Sequence, residues 1–274
     1  MPIPFLPSVD LGEGPTESKD GLTWNQLSYL GCVHCAASTQ NVNLLLQFLQ
    51  SHVAIEAYVD VTGIESAEDI ISVLDGGAWK VFVKSTQLDS LKSYDDRVIP
   101  VYSTETATYA NGVLLIADDD LASLKQTLQK LTEGKTSPIF ISSSPKDTES
   151  LVKLATESSA IPIIPATSLA IEKGSDGQIS VPELIGGSWT SDRTDKLLPT
   201  VVTDERGIAL GLVYSSQESL AESLKTGTGV YQSRKRGLWY KGATSGDTQE
   251  LVRVSLDCDQ DCLKFVVRQK GRGK

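Results

Sequence analysis

The chain has 274 residues and a formal net charge of −10, with 40% hydrophobic and 22% charged residues. An acidic protein does not attract nucleic acid or anionic membranes through its overall field, and no apolar run approaches the roughly 20 residues that span a bilayer. The apolar start lacks the basic residues of a secretion signal. We therefore expect a cytoplasmic protein without nucleic-acid or membrane partners, long enough for two domains.

The first 190 residues predict strands that alternate with helices. A β-branched strand at residues 53–60 is followed by Ser66, a suitable helix N-cap, and by an apolar helical stripe. Further elements follow the same pattern, with strands at 79–83, 98–102, 113–117, 138–142 and 161–164 and helices at 118–131 and 147–157. This alternation predicts an α/β domain with parallel strands.

Four cysteines occur, at positions 32, 35, 258 and 262. Because we expect no secretion signal, free thiols or metal ligands are favoured over disulfides. Cys32 and Cys35 lack a second ligand pair at a usual spacing, and we interpret them as buried thiols beside a helix start.

Two polar, turn-rich stretches, residues 172–177 and 186–188, predict a linker, and we place the domain boundary near Thr190. The segment beyond it predicts a compact, mainly antiparallel α+β unit, with one helix at 217–224 and strands at 200–203, 208–214, 230–233, 238–241, 250–255 and 264–268. The predicted domains are therefore residues 1–190 and 191–274.

Two stretches of this second domain suggest chemistry. Residues 229–246 place arginines and lysines among glycines and hydroxyl residues, a combination that suits phosphate binding. Residues 257–261 crowd three carboxylates around a thiol; oxygen ligands suit Mg²⁺ and a thiolate suits Zn²⁺. The alternatives are a basic strand pair on a solvated surface and a solvated acidic turn.

The order of four motifs resembles the phosphoribosyl-AMP cyclohydrolase family over about the last 75 residues. The motifs are Leu-Pro-Thr-Val-Val (198–202), Tyr-x-Ser-Arg-x-Arg (231–236), Leu-Trp-x-Lys-Gly-x-x-Ser-Gly (238–246) and Asp-Cys-Asp-x-Asp (257–261). With its longer N-terminal domain, the chain also resembles the N-terminal part of the fungal trifunctional histidine-biosynthesis enzyme.

The resemblance implies a homodimeric hydrolase of histidine biosynthesis. Water activated by zinc attacks C6 of the adenine ring of phosphoribosyl-AMP, and the N1–C6 bond opens. The resemblance implies zinc binding by Cys258, magnesium binding by Asp257, Asp259 and Asp261, and phosphate or ribose contacts by Arg234, Arg236, Lys241 and Ser245.

The family continues, after a strand like residues 265–269, into a Cys-His pair and a further cysteine that complete its zinc site. This chain stops at Lys274, and catalytic zinc normally has three protein ligands. We therefore keep an alternative expectation, in which a truncated, inactive cyclohydrolase binds nucleotide or acts as a scaffold.

Residues 59–81 resemble a strand–turn–helix unit of the histidine-pathway (β/α)₈ barrels, in which a glycine-rich turn holds phosphate. Here Thr62 replaces the first glycine and Glu65 replaces the basic residue, which argues against a phosphate-binding isomerase. Because about 190 residues are few for a barrel of ~250, we predict a degenerate or partial β/α barrel, with an open doubly wound sheet as the alternative.

Overall fold

A computed structural model describes residues 3–12, 21–102, 110–117, 121–132, 137–143, 148–172 and 177–271. The chain divides into two compact units. The barrel unit comprises residues 5–17 and 32–166, and the C-terminal unit comprises residues 1–4, 18–31 and 167–274. The units are thus interleaved in sequence, and the domain boundary near Thr190 stays a prediction.

The barrel unit contains eight parallel strands whose order around the sheet follows the sequence. Its strands are β1 (Leu6–Val9), β2 (Cys32–Ser38), β3 (Glu56–Gly63), β4 (Lys80–Val83), β5 (Val98–Pro100), β6 (Val113–Ala117), β7 (Ile139–Ser143) and β8 (Ile161–Pro165). Strand β8 pairs with β1, and a single parallel bridge between Val101 and Leu114 joins β5 to β6. The sheet is therefore a nearly closed barrel, as predicted, and the doubly wound alternative is wrong.

Helices follow most of these strands. They are α1 (Trp24–Leu30), α2 (Val42–Ser51), α3 (Ala67–Asp75), α4 (Leu121–Thr132) and α5 (Thr148–Glu157), with a 3₁₀ segment at Ser85–Arg97. Ser66 caps α3 as predicted, because its Oγ accepts the N–H of Asp69 at 3.3 Å. The predicted first residues of α4, 118–120, lie outside the described residues.

Aromatic rings fill the interior of the barrel. The rings of Phe82 on β4 and Phe140 on β7 meet at 5.2 Å between centroids, and Tyr58 on β3 lies 5.7 Å from Phe140. Since β7 is not a neighbour of β3 or β4 in the sheet, the rings meet inside the barrel and form a packed core. Beside them His34 lies 5.9 Å from Phe82 and shares a 2.8 Å hydrogen bond with the Ser8 hydroxyl.

The structure shows the location or the hydrogen-bond partner of four barrel-unit residues that the sequence analysis discussed. Cys32 and Cys35 are buried thiols, as predicted, but they lie on strand β2 instead of beside a helix start. Thr62 donates its hydroxyl to Asp60 at 2.6 Å, and Glu65 pairs with Lys84 at 2.6 Å.

The C-terminal unit is built on a mixed four-stranded sheet in the order β12-β11-β16-β15. Its elements are β9 (Leu169–Ala170), β10 (Ile179–Ser180), α6 (Val181–Gly187), β11 (Leu198–Thr203), β12 (Ala209–Ser215), α7 (Gln217–Thr226), β13 (Val230–Ser233), β14 (Gly237–Tyr240), β15 (Gln249–Leu256) and β16 (Leu263–Gln269). Strands β11 and β16 pair in parallel, whereas β11–β12, β15–β16 and the separate hairpin β13–β14 are antiparallel. The predicted antiparallel character is thus only partly correct.

Helix α1 belongs to the C-terminal unit although it lies between β1 and β2 in sequence. It packs against β15 and α7 and buries Leu27 and Leu30 completely. Gly31 ends the helix with a φ of 74°, and the side chain of Arg253 on β15 occupies the space that a Cβ at Gly31 would need. Among the residues that the structure describes, no helix has the length and apolar character needed to cross a bilayer.

Candidate active site

The predicted metal-binding motif forms the loop between β15 and β16. Leu256 and Leu263 pair across the hairpin, so residues 257–262 form an exposed connection at one end of the sheet. Carboxylate oxygens of Asp257, Asp259 and Asp261 lie within 4.8 Å of one another. This spacing fits a cation that takes oxygen ligands, such as Mg²⁺.

The carboxylates of this loop influence one another's protonation. Burial opposes ionisation of Asp257, but the backbone hydrogen bond from Cys262 and the contacts with Asp261 and Asp259 outweigh it, so the pKa of Asp257 is lowered. The pKa of Asp261 is raised, first by its hydrogen bond to the Asp257 side chain and then by the charge of Asp259. A bound divalent cation would take the place of the proton between Asp257 and Asp261 and would offset the repulsion among the three carboxylates.

Zinc fits these residues less well than magnesium. The exposed Cys258 has its Sγ 3.8 Å from an oxygen of Asp259. The half-buried Cys262 directs its thiol to the carbonyl of Leu263 at 3.5 Å, and burial raises the pKa of this thiol. The described part of the loop therefore offers one accessible thiol, short of the three protein ligands that catalytic zinc normally has.

A cavity of about 850 Å³ opens at the same end of the sheet. The backbone N–H of Thr190, on its wall, donates to the carbonyl of Gln260 in the acidic loop at 2.9 Å. The lining residues come from the segment before β11, the start of α7 and strand β13; they are Gly186, Trp189, Thr190, Ser191, Asp195, Lys196, Leu197, Ser216, Gln217, Glu218 and Gln232. Its volume suits a small organic ligand.

Two arginines flank one tyrosine beside this cavity. The guanidinium carbons of Arg193 and Arg234 lie 4.6 Å and 4.9 Å from the ring centroid of Tyr214. Arg193 also donates two hydrogen bonds, of 2.8 and 2.6 Å, to the carboxylate of Asp195, whose pKa is lowered mainly by this contact. Tyr214 pairs with Pro199 at the start of β11, so Arg234 lies at the end of the sheet that carries the acidic loop.

The predicted phosphate contacts divide between two places. Arg234 and Arg236 occupy the exposed turn between β13 and β14. Lys241 follows β14 and donates its ammonium to the carbonyl of Asp247 at 3.1 Å, and the Ser245 hydroxyl accepts the N–H of Asp247 at 3.2 Å. The loop that contains Lys241 and Ser245 precedes β15, whereas the acidic loop follows it. The 8 residues of β15 separate the two loops by roughly 25 Å, at ~3.3 Å per residue. Within one chain Lys241 and Ser245 therefore lie away from the carboxylates of the acidic loop.

Sequence reasoning missed the cavity wall. Lys196 and Gln260 have left-handed φ values of 55° and 64°, a conformation that is costly for residues other than glycine and clusters at functional sites. The buried indole N–H of Trp189 and the side-chain oxygen of Gln260 have no hydrogen-bond partner. The one sequence signal was a single tryptophan directly after the polar, glycine-rich residues 186–188.

Comparisons with known proteins identify relatives of the segment that contains the acidic loop. The phosphoribosyl-AMP cyclohydrolase family profile matches residues 211–273. A histidine biosynthesis trifunctional protein of Neurospora crassa is 50% identical over 99% of this chain, which covers 32% of that protein. A histidine biosynthesis bifunctional protein of Schizosaccharomyces pombe is 34% identical over 98% of this chain, which covers 68% of it. A phosphoribosyl-AMP cyclohydrolase of Chloroherpeton thalassium is 47% identical over 29% of this chain and 59% of its own length.

Proposed function

Since this chain belongs to the phosphoribosyl-AMP cyclohydrolase family, we propose that its C-terminal unit hydrolyses phosphoribosyl-AMP in histidine biosynthesis. Water adds to C6 of the adenine ring and the N1–C6 bond opens. The observation that carries the proposal is the cluster of three carboxylates within 4.8 Å, which lies inside the matched segment and beside a ligand-sized cavity. The cytoplasmic location stays a sequence prediction.

Magnesium is the proposed occupant of the carboxylate cluster. Asp257, Asp259 and Asp261 would hold it through their oxygens, because hard divalent cations prefer such ligands. When bound, the cation supplies positive charge for an anionic substrate in an acidic protein. Cys258 remains a proposed zinc ligand, but one thiol does not complete a zinc site, so we derive no step through zinc.

Arg234 is the proposed phosphate contact on the acidic-loop side. Its guanidinium lies over Tyr214, which orients it, and the fork of an arginine suits two phosphate oxygens. Arg236 lies in the same turn. We also propose phosphate or ribose contacts for Lys241 and Ser245, on a site completed by another subunit, because their loop lies at the opposite end of β15 from the acidic loop.

A second copy of the chain is the proposed partner of strand β12. This strand is at the edge of its sheet, and Ile208, Leu210 and Leu212 expose 60%, 41% and 71% of their surface. An exposed apolar edge strand is a ready pairing surface. We expect Leu212→Glu to convert a dimer into a monomer in analytical ultracentrifugation, whereas Val53→Glu, at an 86% exposed site of the barrel unit, leaves the dimer intact. A monomeric parent chain would contradict this proposal.

The direct test is turnover of phosphoribosyl-AMP by the purified chain with Mg²⁺ and Zn²⁺ added. We expect product formation that falls by about 100-fold in Asp259→Asn, since loss of a metal ligand removes most of the metal affinity. Asp89→Asn is the control, because Asp89 is an exposed carboxylate of the barrel unit paired with Lys92. If the parent chain binds nucleotide but gives no product, the alternative of an inactive nucleotide-binding protein is favoured instead.

A further inference from the structure

Arg193 lies before the part of the chain that matches the family profile, which begins at residue 211. The four motifs that resemble the family do not contain it either. The structure nevertheless brings Arg193 to the ring of Tyr214, and the same ring carries Arg234, the proposed phosphate contact. The family motifs therefore leave the role of Arg193 unexplained, while the structure connects it to Arg234.

Hydrogen bonds within the turn formed by residues 191–197 hold the backbone of Arg193 in place. The N–H of Lys196 donates to the carbonyl of Arg193 at 3.1 Å, and the N–H of Arg193 donates to Ser191 Oγ at 3.4 Å. The Ser191 hydroxyl in turn donates to the carbonyl of Leu197 at 3.0 Å. Since Leu197 directly precedes β11, this turn fixes Arg193 to the four-stranded sheet.

The guanidinium of Arg193 is fixed separately by a carboxylate. Two of its nitrogens donate to Asp195 at 2.8 and 2.6 Å, a parallel pair that the planar fork of an arginine makes and a lysine does not. The N–H of Leu197 donates to the same carboxylate at 3.2 Å. The pKa of Arg193 is raised, mainly by its hydrogen bond to Asp195. The guanidinium is thus held in one orientation beside the Tyr214 ring.

Asp195 also changes how the two arginines act on each other. Their guanidinium carbons lie 4.6 and 4.9 Å from one ring centroid. Two unpaired cations this close would repel each other, because salt screens charges only over about 8–10 Å. The carboxylate of Asp195 offsets the charge of Arg193. Among the described residues Arg234 has no ion pair, so its own charge stays available to an anion.

We propose that Arg193 is a positioning residue: paired with Asp195, it stabilises the ring of Tyr214 as the surface on which Arg234 presents its guanidinium to a phosphate group. An arginine that is already oriented loses less conformational entropy when it binds an anion. The choice of phosphate as the anion rests on the proposed function. The inference adds a residue from before the profile to the proposed phosphate contact.

The test exchanges Arg193 for lysine, which keeps the positive charge and loses the bidentate fork. Arg268→Lys is the matched control, because Arg268 makes an equivalent pair with Glu205, at 2.9 and 2.6 Å, near the end of β16 that is remote from the acidic loop. The probe is inorganic phosphate, titrated into the full chain. We expect its dissociation constant to rise about two- to fivefold in Arg193→Lys, the value of one exposed cation–π contact. It should stay unchanged in Arg268→Lys.

A second readout reports the position of Arg234 itself. In a ¹⁵N-labelled chain its Nε–H signal is identified by its loss in Arg234→Lys, and the ring current of Tyr214 shifts this signal in the parent chain. We expect the signal to move towards that of an arginine without a ring contact in Arg193→Lys. Asp195→Asn, which removes the other half of the pair, should move it in the same direction. Thermal melting of each variant separates a loss of position from a loss of folding.

The outcomes distinguish this inference from the proposed hydrolysis. The inference would be overturned by an unmoved Arg234 signal in Arg193→Lys and Asp195→Asn, by equal phosphate affinity in parent and Arg193→Lys, by an equal loss in Arg268→Lys, or by no phosphate binding in the parent chain. Phosphate binding that depends on Arg193 in a chain without turnover would sink the proposed hydrolysis and leave the inference standing. Turnover with an unchanged KM in Arg193→Lys would do the reverse.

Discussion

Among the residues that the structure describes, those of the barrel unit and of the C-terminal unit satisfy their buried polar groups to different degrees. In the barrel unit, aromatic rings fill the interior and the buried His34 has the hydroxyl of Ser8 as its partner. In the C-terminal unit, unpartnered buried atoms occur at Trp189, Thr203 and Gln260, and three carboxylates crowd one loop. Departures from ideal packing are expected at functional sites. This difference therefore favours a functional site at the end of the C-terminal sheet that carries the acidic loop.

The largest expected effect is the loss of unfolding free energy when the contact of α1 with the C-terminal unit is weakened. Leu27 is fully buried in that unit, and Leu27→Ala should cost about 2–5 kcal/mol of unfolding free energy. Hydrogen exchange should then accelerate in β15, against which α1 packs, and stay unchanged in β3. Leu44→Ala, at a 42% exposed site of α2, is the control. Faster exchange in β3 instead would assign α1 to the barrel.

The barrel unit should lose stability in acid through His34. Burial lowers the pKa of His34 to about 4, against a small opposing effect of Asp60. Because the unfolded histidine titrates near 6.5, protons bind the unfolded state preferentially between these values, and stability falls as pH decreases from 6.5 to 4. The expected loss is about 3 kcal/mol.

Urea unfolding of the barrel unit at neutral and acidic pH measures this loss. His34→Gln should flatten the dependence, whereas His52→Gln at the end of α2 should not change it. An equally steep acid loss in His34→Gln would show that other groups cause it.

A smaller effect is expected from one buried hydroxyl of the C-terminal unit. Tyr231 donates its phenol to the side-chain oxygen of Gln249 at 2.6 Å, and burial raises the pKa of Tyr231. Tyr231→Phe leaves that oxygen without this donor and should cost about 1–3 kcal/mol in chemical denaturation. The matched control is Tyr240→Phe, because Tyr240 is 43% exposed and bonds to Glu222 near solvent. Equal costs for both variants would contradict the expectation.

The smallest effect concerns the strained backbone of the cavity wall. Lys196→Gly relieves the left-handed φ of 55° and should stabilise the protein by up to about 1 kcal/mol in thermal denaturation. Lys225→Gly, in the last turn of α7, should have the opposite sign, since glycine disfavours a helix. Destabilisation by both variants would show that φ strain at Lys196 is unimportant.

The fold was largely predictable where the relevant signals are local. Strand β6 and the Ser66 cap of α3 were read correctly because β-branched runs and capping residues act over a few positions. Two features were not predictable, because they depend on contacts between distant segments. They are the membership of α1 in the C-terminal unit and the bridge between Val101 and Leu114 that joins β5 to β6.

The site was predictable in part for the same reason. The acidic motif is contiguous in sequence, and its carboxylates do converge in the structure. The cavity wall at Trp189 and Lys196 is brought to that loop by the pairing of β11 with β16, which no short motif encodes. Arg234 and Lys241, neighbours in the basic motif, are separated because the hairpin β13–β14 has Arg234 at its turn and Lys241 at its open end.

The most direct test of the account is paramagnetic broadening by Mn²⁺, which takes the same oxygen ligands as Mg²⁺, in a ¹⁵N-labelled chain. We expect backbone signals of residues 256–263 and of Thr190, which bonds to that loop, to broaden first. Signals of Ser245 and of the barrel strands should remain sharp. In the Asp259→Asn variant, Mn²⁺ should no longer broaden the signals of residues 256–263 and Thr190. Broadening centred on the barrel unit, or the same broadening in Asp259→Asn, would contradict the claim that the acidic end of the C-terminal sheet is the metal site.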